Sequence, residues 1–261
     1  MSANNVQQLR ATPDHFSPEE WAARVDLAAA YRLAGRLGWH DLLATHFSLR
    51  VPGTEGEYLV NPFGLFFEEV TASSLVKIDT EGKLLSPSEY GVNPAADEIH
   101  GAIYAARPDV NAVMHLHSVA GTGVATQAGG LLPISQQALL LQVRTRYYDY
   151  GGSGIDSVEC AKMVAALGDG SVLFMRNHGT LATGHNIGEA FALITRIERA
   201  CQIQLAAQAG GEIAHIDPEV VAKTIQRGHR IYSEKSWSPH AKIEWAAFRR
   251  KLDREDPAYA T

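Results

Sequence analysis

The sequence predicts a layered α/β domain built on a mostly antiparallel or mixed sheet, and three observations carry that reading. Capped amphipathic helix signals recur along the chain, and short apolar runs broken by turn residues lie between them. The two kinds of segment mix without the strict alternation of a doubly wound parallel sheet, and a repeated GxGxxG unit is missing.

Taken in order, Ser17 followed by Pro18, Glu19 and Glu20 has the form of a capping box with proline at the first helical position. Trp21, Val25, Ala28 and Ala29 then repeat at helical spacing, so a helix is expected over about 18–36. Between Asp41 and Asp79 the texture changes to short strands such as HFSLRVPG, EYLVNPFG and LVKIDTEGK, the last ending in a hairpin turn. Asn93 before Pro94 starts a second helix, whose apolar stripe of Ile99, Ile103 and Tyr104 runs until Arg107-Pro108 stops it near residue 106. The strand NAVMHLH follows. Beyond a glycine-rich patch from Gly121 to Gly130 come LLPISQQALLLQ, the tyrosine cluster RTRYYDYGG, a helix near 156–168 and the apolar strand SVLFM. Asn186 with Glu189 caps a long helix whose 3.6 period (Ile187, Phe191, Ile194, Ile197, Cys201, Leu205) lasts to Gly210-Gly211. From Ile231 the tail carries Trp237, Trp245 and Phe248 among charges, aromatics that need cover from this domain or from a neighbouring subunit. Residues 1–16 read as a flexible arm and residues 17–261 as a single domain.

Composition narrows the class. With 46% hydrophobic and 20% charged residues in 261, the chain is long enough to bury a large core. A net charge of −6 offers no broad cationic surface, so nucleic acid is not an expected partner. No apolar run of about 18 residues exists to span a bilayer, and MSANNVQQLRATPDH lacks the basic start and apolar centre of a secretory signal. A cytoplasmic protein without membrane association is expected. Cys160 and Cys201, the only cysteines, are too few for a disulfide framework and too far apart for a CxxC pair, so both are expected to be reduced core thiols.

The chemistry-bearing residues are histidines. In a strand, i and i+2 point to one face about 6.6 Å apart, so Val113, His115 and His117 share a side while Ala112, Met114 and Leu116 take the other. Two imidazoles held this way can reach one ion at about 2.0 Å, or they can be an edge or hydrogen-bonded core pair. Downstream, SVLFMRNHGTLATG puts His178 at the end of a buried strand, either as a third ligand or as a plain turn residue, with Gly179 able to tighten the turn.

HLHSVAGTGVA, followed about 60 residues later by RNHGTLATG and a long capped helix, resembles the class II aldolase/adducin family. AIYAARPDVNAVMHLHS, VNPFGLFFEEVTASSLVKID and AFRRKLDREDPAY are similar to it too, and the likeness covers roughly residues 20–255. The resemblance implies a three-layer α/β/α domain around a largely antiparallel sheet, and a tetramer with active sites at subunit boundaries. It also implies a metal site of His115, His117 and His178, with Zn2+ the first expectation and Fe2+, Mn2+ or Co2+ as alternatives.

The chain departs from the sugar-phosphate aldolases of that family where they bind phosphate. The corresponding stretches are Thr45–Ser48, Asn61–Gly64 and Asn93–Ala96, in which Pro94 has no N–H and Ala95 no side-chain donor. A substrate without phosphate is therefore expected, met by His46, Asn61, Phe63 and Gly64, with Phe66 and Phe67 making the pocket friendly to a ring or apolar chain. The aldolase acid/base carboxylate falls on Ala96, 19 residues before His115. Glu98 is the candidate replacement although it lies some 200° around the helix axis, with Asp97 and His100 as competitors. THFSLRVPG and LLPIS…YYDYGG are shared with the adducin-like branch, whose scaffold members continue into a lysine-rich tail that this sequence, ending at Thr261, does not carry.

The resulting expectation is a metal-dependent carbon–carbon lyase, an aldolase or decarboxylase, acting on a small hydroxy, keto or aromatic acid or carbonyl compound through an enolate. Glu98 moves protons. Tyr148 is a catalytic donor, with Tyr147 and Tyr150 as neighbours that could share the role, and Arg144 or Arg146 is available to a carboxylate. The same three imidazoles could hold iron(II) in an oxygenase, and a non-catalytic assembly domain is the third reading.

Overall fold

The structure, a computed structural model, describes residues 13, 15–152 and 156–261. The arm expected over residues 1–16 lies almost wholly outside the described residues. Seven strands, β1 (His46–Arg50), β2 (Glu57–Val60), β3 (Val76–Asp79), β4 (Ala112–Leu116), β5 (Thr145–Tyr148), β6 (Val172–Met175) and β7 (Gly179–Gly184), form one sheet in the order β3-β2-β1-β4-β7-β6-β5. Every neighbouring pair is antiparallel except β5 with β6. That parallel pair needs a long crossover, which the helix between its strands supplies.

The helices are α1 (Pro18–Arg36), α2 (Pro94–Ala106), α3 (Val119–Ala125), α4 (Gln136–Gln142), α5 (Ser157–Leu167), α6 (Ile187–Ala209), α7 (Pro218–Gly228) and α8 (Lys242–Glu255). Three begin as the sequence predicts. The Glu20 N–H donates to Ser17 Oγ at 3.1 Å, the Ala95 N–H to Asn93 Oδ1 at 3.0 Å, and the Glu189 N–H to Asn186 Oδ1 at 2.8 Å. Each satisfies a backbone donor that the first turn leaves open.

Strand alternation divides the buried apolar residues into two cores. Phe47, Leu49, Ala112, Met114, Leu116 and Phe174 pack with α1 and α6 on one face. Val60, Ile78, Val113, Leu173 and Leu181 pack with α2 and α5 on the other. Helices on both faces of one largely antiparallel sheet make the three layers expected from the resemblance.

Local pattern does not reveal every element. The glycine-rich patch contains α3, because Gly121 packs against Ser118 and Glu198: a Cβ there would lie 2.8 Å from Ser118 Oγ and 2.9 Å from Glu198 Oε1. Close packing onto α6 overrides the low helix propensity of glycine. The tail is covered by its own domain, with the Trp245 and Phe248 rings 5.6 and 5.1 Å from Phe191 and the Ala72 N–H donating to Tyr259 O at 2.9 Å. Trp237 alone of the tail aromatics named above stays exposed, at 71%. No described helix is long and apolar enough to cross a membrane.

Candidate metal centre

His115 sits in β4, paired across the sheet with His46 of β1 and Leu181 of β7. His117 follows the last residue of that strand, and Ser118 behind it caps α3. His178 closes the turn between β6 and β7. Asn177 takes the left-handed conformation there (φ 58°), a role the sequence assigned to Gly179. Gly179 is needed for a different reason: a Cβ on it would lie 2.3 Å from Leu116 O and 3.0 Å from His117 Cδ2. The bare backbone lets β7 close on the end of β4, and that brings the third imidazole to the other two.

His117 Nε2 lies 2.9 Å from both His115 Nε2 and His178 Nε2, and the three ligand atoms fall within 4.8 Å of one another. The partners of the other ring nitrogens fix two tautomers. Thr180 O can only accept, so His115 Nδ1–H donates to it at 3.1 Å, and His117 Nδ1–H donates to Asp41 Oδ2 at 3.1 Å. Both Nε2 atoms then turn lone pairs toward each other at hydrogen-bond distance, an arrangement a cation between them relieves. Four-coordinate zinc with N at about 2.0–2.1 Å implies ligand–ligand edges of about 3.3 Å, so a small opening of the cluster admits the ion. The donor set fits a divalent transition metal, with a carbonyl and a carboxylate orienting two of the rings from behind.

Burial suits the rings to this work. It pushes the His115 imidazolium well below its ordinary range, with the neighbouring imidazoles adding to the effect, and brings His178 down to about 4, with His117 contributing. Near neutral pH both are unprotonated and able to coordinate.

Behind His115 a second layer of polar groups fills what would otherwise be apolar core. His46 Nδ1 is 2.9 Å from His100 Nε2, His100 Nδ1 is hydrogen-bonded to Ser48 Oγ, and Ser48 Oγ is 2.8 Å from Tyr104 Oη. The His46 ring, 1% exposed, packs 5.2 Å from that of His115. His46, expected to meet substrate, is buried within the fold behind the His115 ring. His100, from α2, is wholly buried and held down to about 3 by burial, with His115 adding to the effect.

A narrow cavity of about 40 Å³ adjoins His178, bounded by Tyr148, Tyr150, Glu159 and Met175. It has room for little more than water. The Tyr148 hydroxyl donates to Glu159, and burial followed by that carboxylate pushes the phenol up to about 12. Tyr150 brings its ring 6.4 Å from that of His178. Tyr147 is structural, accepting from the Leu131 N–H at 3.0 Å and stacking on Phe174.

The other expected residues lie elsewhere. Glu98 is exposed on α2 and lines the groove between α2 and α5, which includes none of the three histidines. Ala96, wholly buried, holds the inward face of the helix. The 200° offset survives folding because α2 is regular. Asn61 is buried, with its Oδ1 2.8 Å from Tyr31 Oη, whereas Phe63 and Gly64 are exposed on a loop, and none of the three borders the cavity beside His178. Phe67 belongs to the core against Tyr31 and Phe47. Two residues were missed. Asp41, 76 residues before His117, and Glu159, 11 residues after Tyr148, orient those side chains, and no local motif marks either.

Gly179→Ala tests the closure of β7 on β4. The added methyl has no room beside Leu116 O, so the strands must separate at the cost of overpacking, about 1–3 kcal/mol. A lowered urea midpoint together with reduced metal content is the expected result; a variant with both unchanged contradicts the close approach.

Comparison with known proteins places this geometry among relatives. The family model described as Class II Aldolase and Adducin N-terminal domain matches residues 25–205. A Pseudomonas aeruginosa protein assigned by name to the class 2 aldolases is 43% identical over 244 residues, covering 93% of each chain. Alpha-adducin of Rattus norvegicus is 43% identical over 221 residues, 82% of this chain but 30% of the adducin. Among solved structures, L-fuculose 1-phosphate aldolase from Glaciozyma antarctica PI12 superposes with a TM-score of 0.78 at 28% identity, over 95% of this chain and 97% of that one.

Proposed function

Because the chain belongs to the family of class II aldolase and adducin N-terminal domains, we propose that it is a metal-dependent carbon–carbon lyase for a small, non-phosphorylated hydroxy or keto acid or related carbonyl compound. One observation carries the reading: three imidazoles converge with their Nε2 atoms against one another and two of their Nδ1–H groups already committed to partners behind them. His115, His117 and His178 hold the ion. When bound, a divalent cation, zinc by preference, supplies Lewis-acid stabilisation to the negative charge that develops as a bond next to a carbonyl breaks.

The chain's own groups do the rest. Tyr148 keeps its proton at neutral pH, donating it to Glu159 on the wall of the cavity beside His178, and a turn of the hydroxyl would offer that proton to a substrate there. This pair takes the proton-handling role expected of Glu98, whose side chain opens on another surface. The exclusion of phosphate rests on side chains already committed elsewhere. Ser48 is bonded to Tyr104 and His100, and Asn93 caps α2. A wider pocket would come from a second copy of this chain covering the exposed Leu42, Phe63 and Phe66, which supports a homo-oligomer, a tetramer by family likeness.

Zinc-, manganese- and iron-loaded protein incubated with a panel of hydroxy and keto acids, followed by proton NMR, is the direct test. Cleavage products or carbon dioxide support the lyase. Oxygen uptake with iron alone turns the reading to an oxygenase, and full metal loading without turnover of any member turns it to an adducin-like assembly domain.

A further inference from the structure

We propose that His185, Glu189 and His240 form a second site for a divalent transition metal, zinc by its donor set, which clasps the tail segment 229–241 onto the first turn of α6. His185 Nδ1 and His240 Nδ1 each lie 2.9 Å from the same oxygen, Glu189 Oε2, and the three ligand atoms fall within 4.8 Å of one another. Two imidazoles and one carboxylate are an established donor set for zinc with one position left open. The 2.9 Å edges again fall a little short of the roughly 3.3 Å that a tetrahedral ion requires.

Three features distinguish this cluster from a chance meeting of surface groups. Glu189 is 4% exposed, so its charge needs compensation inside the fold, where its Oε2 accepts the His185 N–H at 3.2 Å while the nearby Arg144 turns its Nη2 to Gly228 O and Ile231 O instead. His240 and Ala241 both adopt left-handed backbone (φ 48° and 56°), a conformation costing about 1–3 kcal/mol per non-glycine residue that aims the His240 ring inward. The cluster also opens on a cavity of about 400 Å³, in which Glu234, 2.8 Å from His240 Nε2, borders the space where a water could complete the shell. The site is independent of the first. His185 follows the Gly184 end of β7 and His178 precedes its Gly179 end, so the whole six-residue strand, about 17 Å long, separates the two.

The competing account is an imidazolium of His240 linking Glu189 to Glu234 with no metal. Zinc and cobalt(II) titrations of chelator-stripped protein decide between them. The wild type is expected to take up two equivalents per chain. His117→Ala should retain one, giving cobalt visible absorption from a site without the first cluster, and His240→Asn, which tolerates the left-handed backbone, should also retain one. His117→Ala/His185→Ala should take up none and lose the zinc-induced rise in Tm that His117→Ala shows; exposed His185 can be removed without disturbing packing. A folded His117→Ala protein that binds no zinc or cobalt, or a His240→Asn protein that still binds two equivalents, overturns the proposal.

Discussion

Alanine in place of His178 is expected to remove one metal equivalent per chain and to lower lyase turnover by about a thousandfold or more, on the order of 4 kcal/mol of lost transition-state stabilisation. The side chain is not part of either core, and its backbone N–H donates to Met175 O at 3.1 Å in a turn that alanine can keep. Folding should therefore survive, as circular dichroism would show, while the cluster drops to two imidazoles with an edge open to water. Metal analysis of the dialysed variant beside the wild type reads the result. Full first-site occupancy in the variant would mean that the ring of residue 178 is not a ligand, and the lyase reading would fall with it.

Acid should unfold this protein early, and His100 should account for much of the slope. Its folded pKa of about 3 lies below the ordinary 6.5, so between those values the unfolded chain binds a proton that the folded chain refuses. The stabilisation is fully present above pH 6.5 and is lost as the pH falls toward 3. At about 1.4 kcal/mol per unit, the loss from this one ring approaches 5 kcal/mol by pH 3. His46, depressed by burial and then by His100, acts in the same direction. Urea denaturation from pH 4 to 7 should show a slope shallower by one proton in His100→Phe than in the wild type. A carbon-bound proton resonance of His100 titrating near pH 6.5 in the folded protein would contradict this account.

How legible the site was depends on the distance over which each contact acts. The HxH pair could be placed on one face from strand period alone, and β4 keeps that arrangement, with Val113 and Leu116 in opposite cores. Helix starts at Ser17, Asn93 and Asn186 were equally local, because a cap is a bond between residues two or three apart. The short strand β5 and helices α3, α4 and α7 were less legible, although Ser118, Ser135 and Asp217 cap the three helices through bonds just as local. Their stability comes from partners such as Glu198 against Gly121, or from pairing with β6, neither of which a window of ten residues contains.

Sequence by itself determined that His115 and His117 share a side and where the main helices begin, because these follow from backbone period and short-range hydrogen bonds. Only the tertiary structure decided that His178 meets His117 at 2.9 Å, that Asp41 and Thr180 set the tautomers, that His46 is buried behind His115 and that Glu98 lines a groove without the three histidines. It alone joined His240 to Glu189, 51 residues apart. Such contacts depend on how sheet and helices stack, and the packing that fixes their positions is spread over the whole chain.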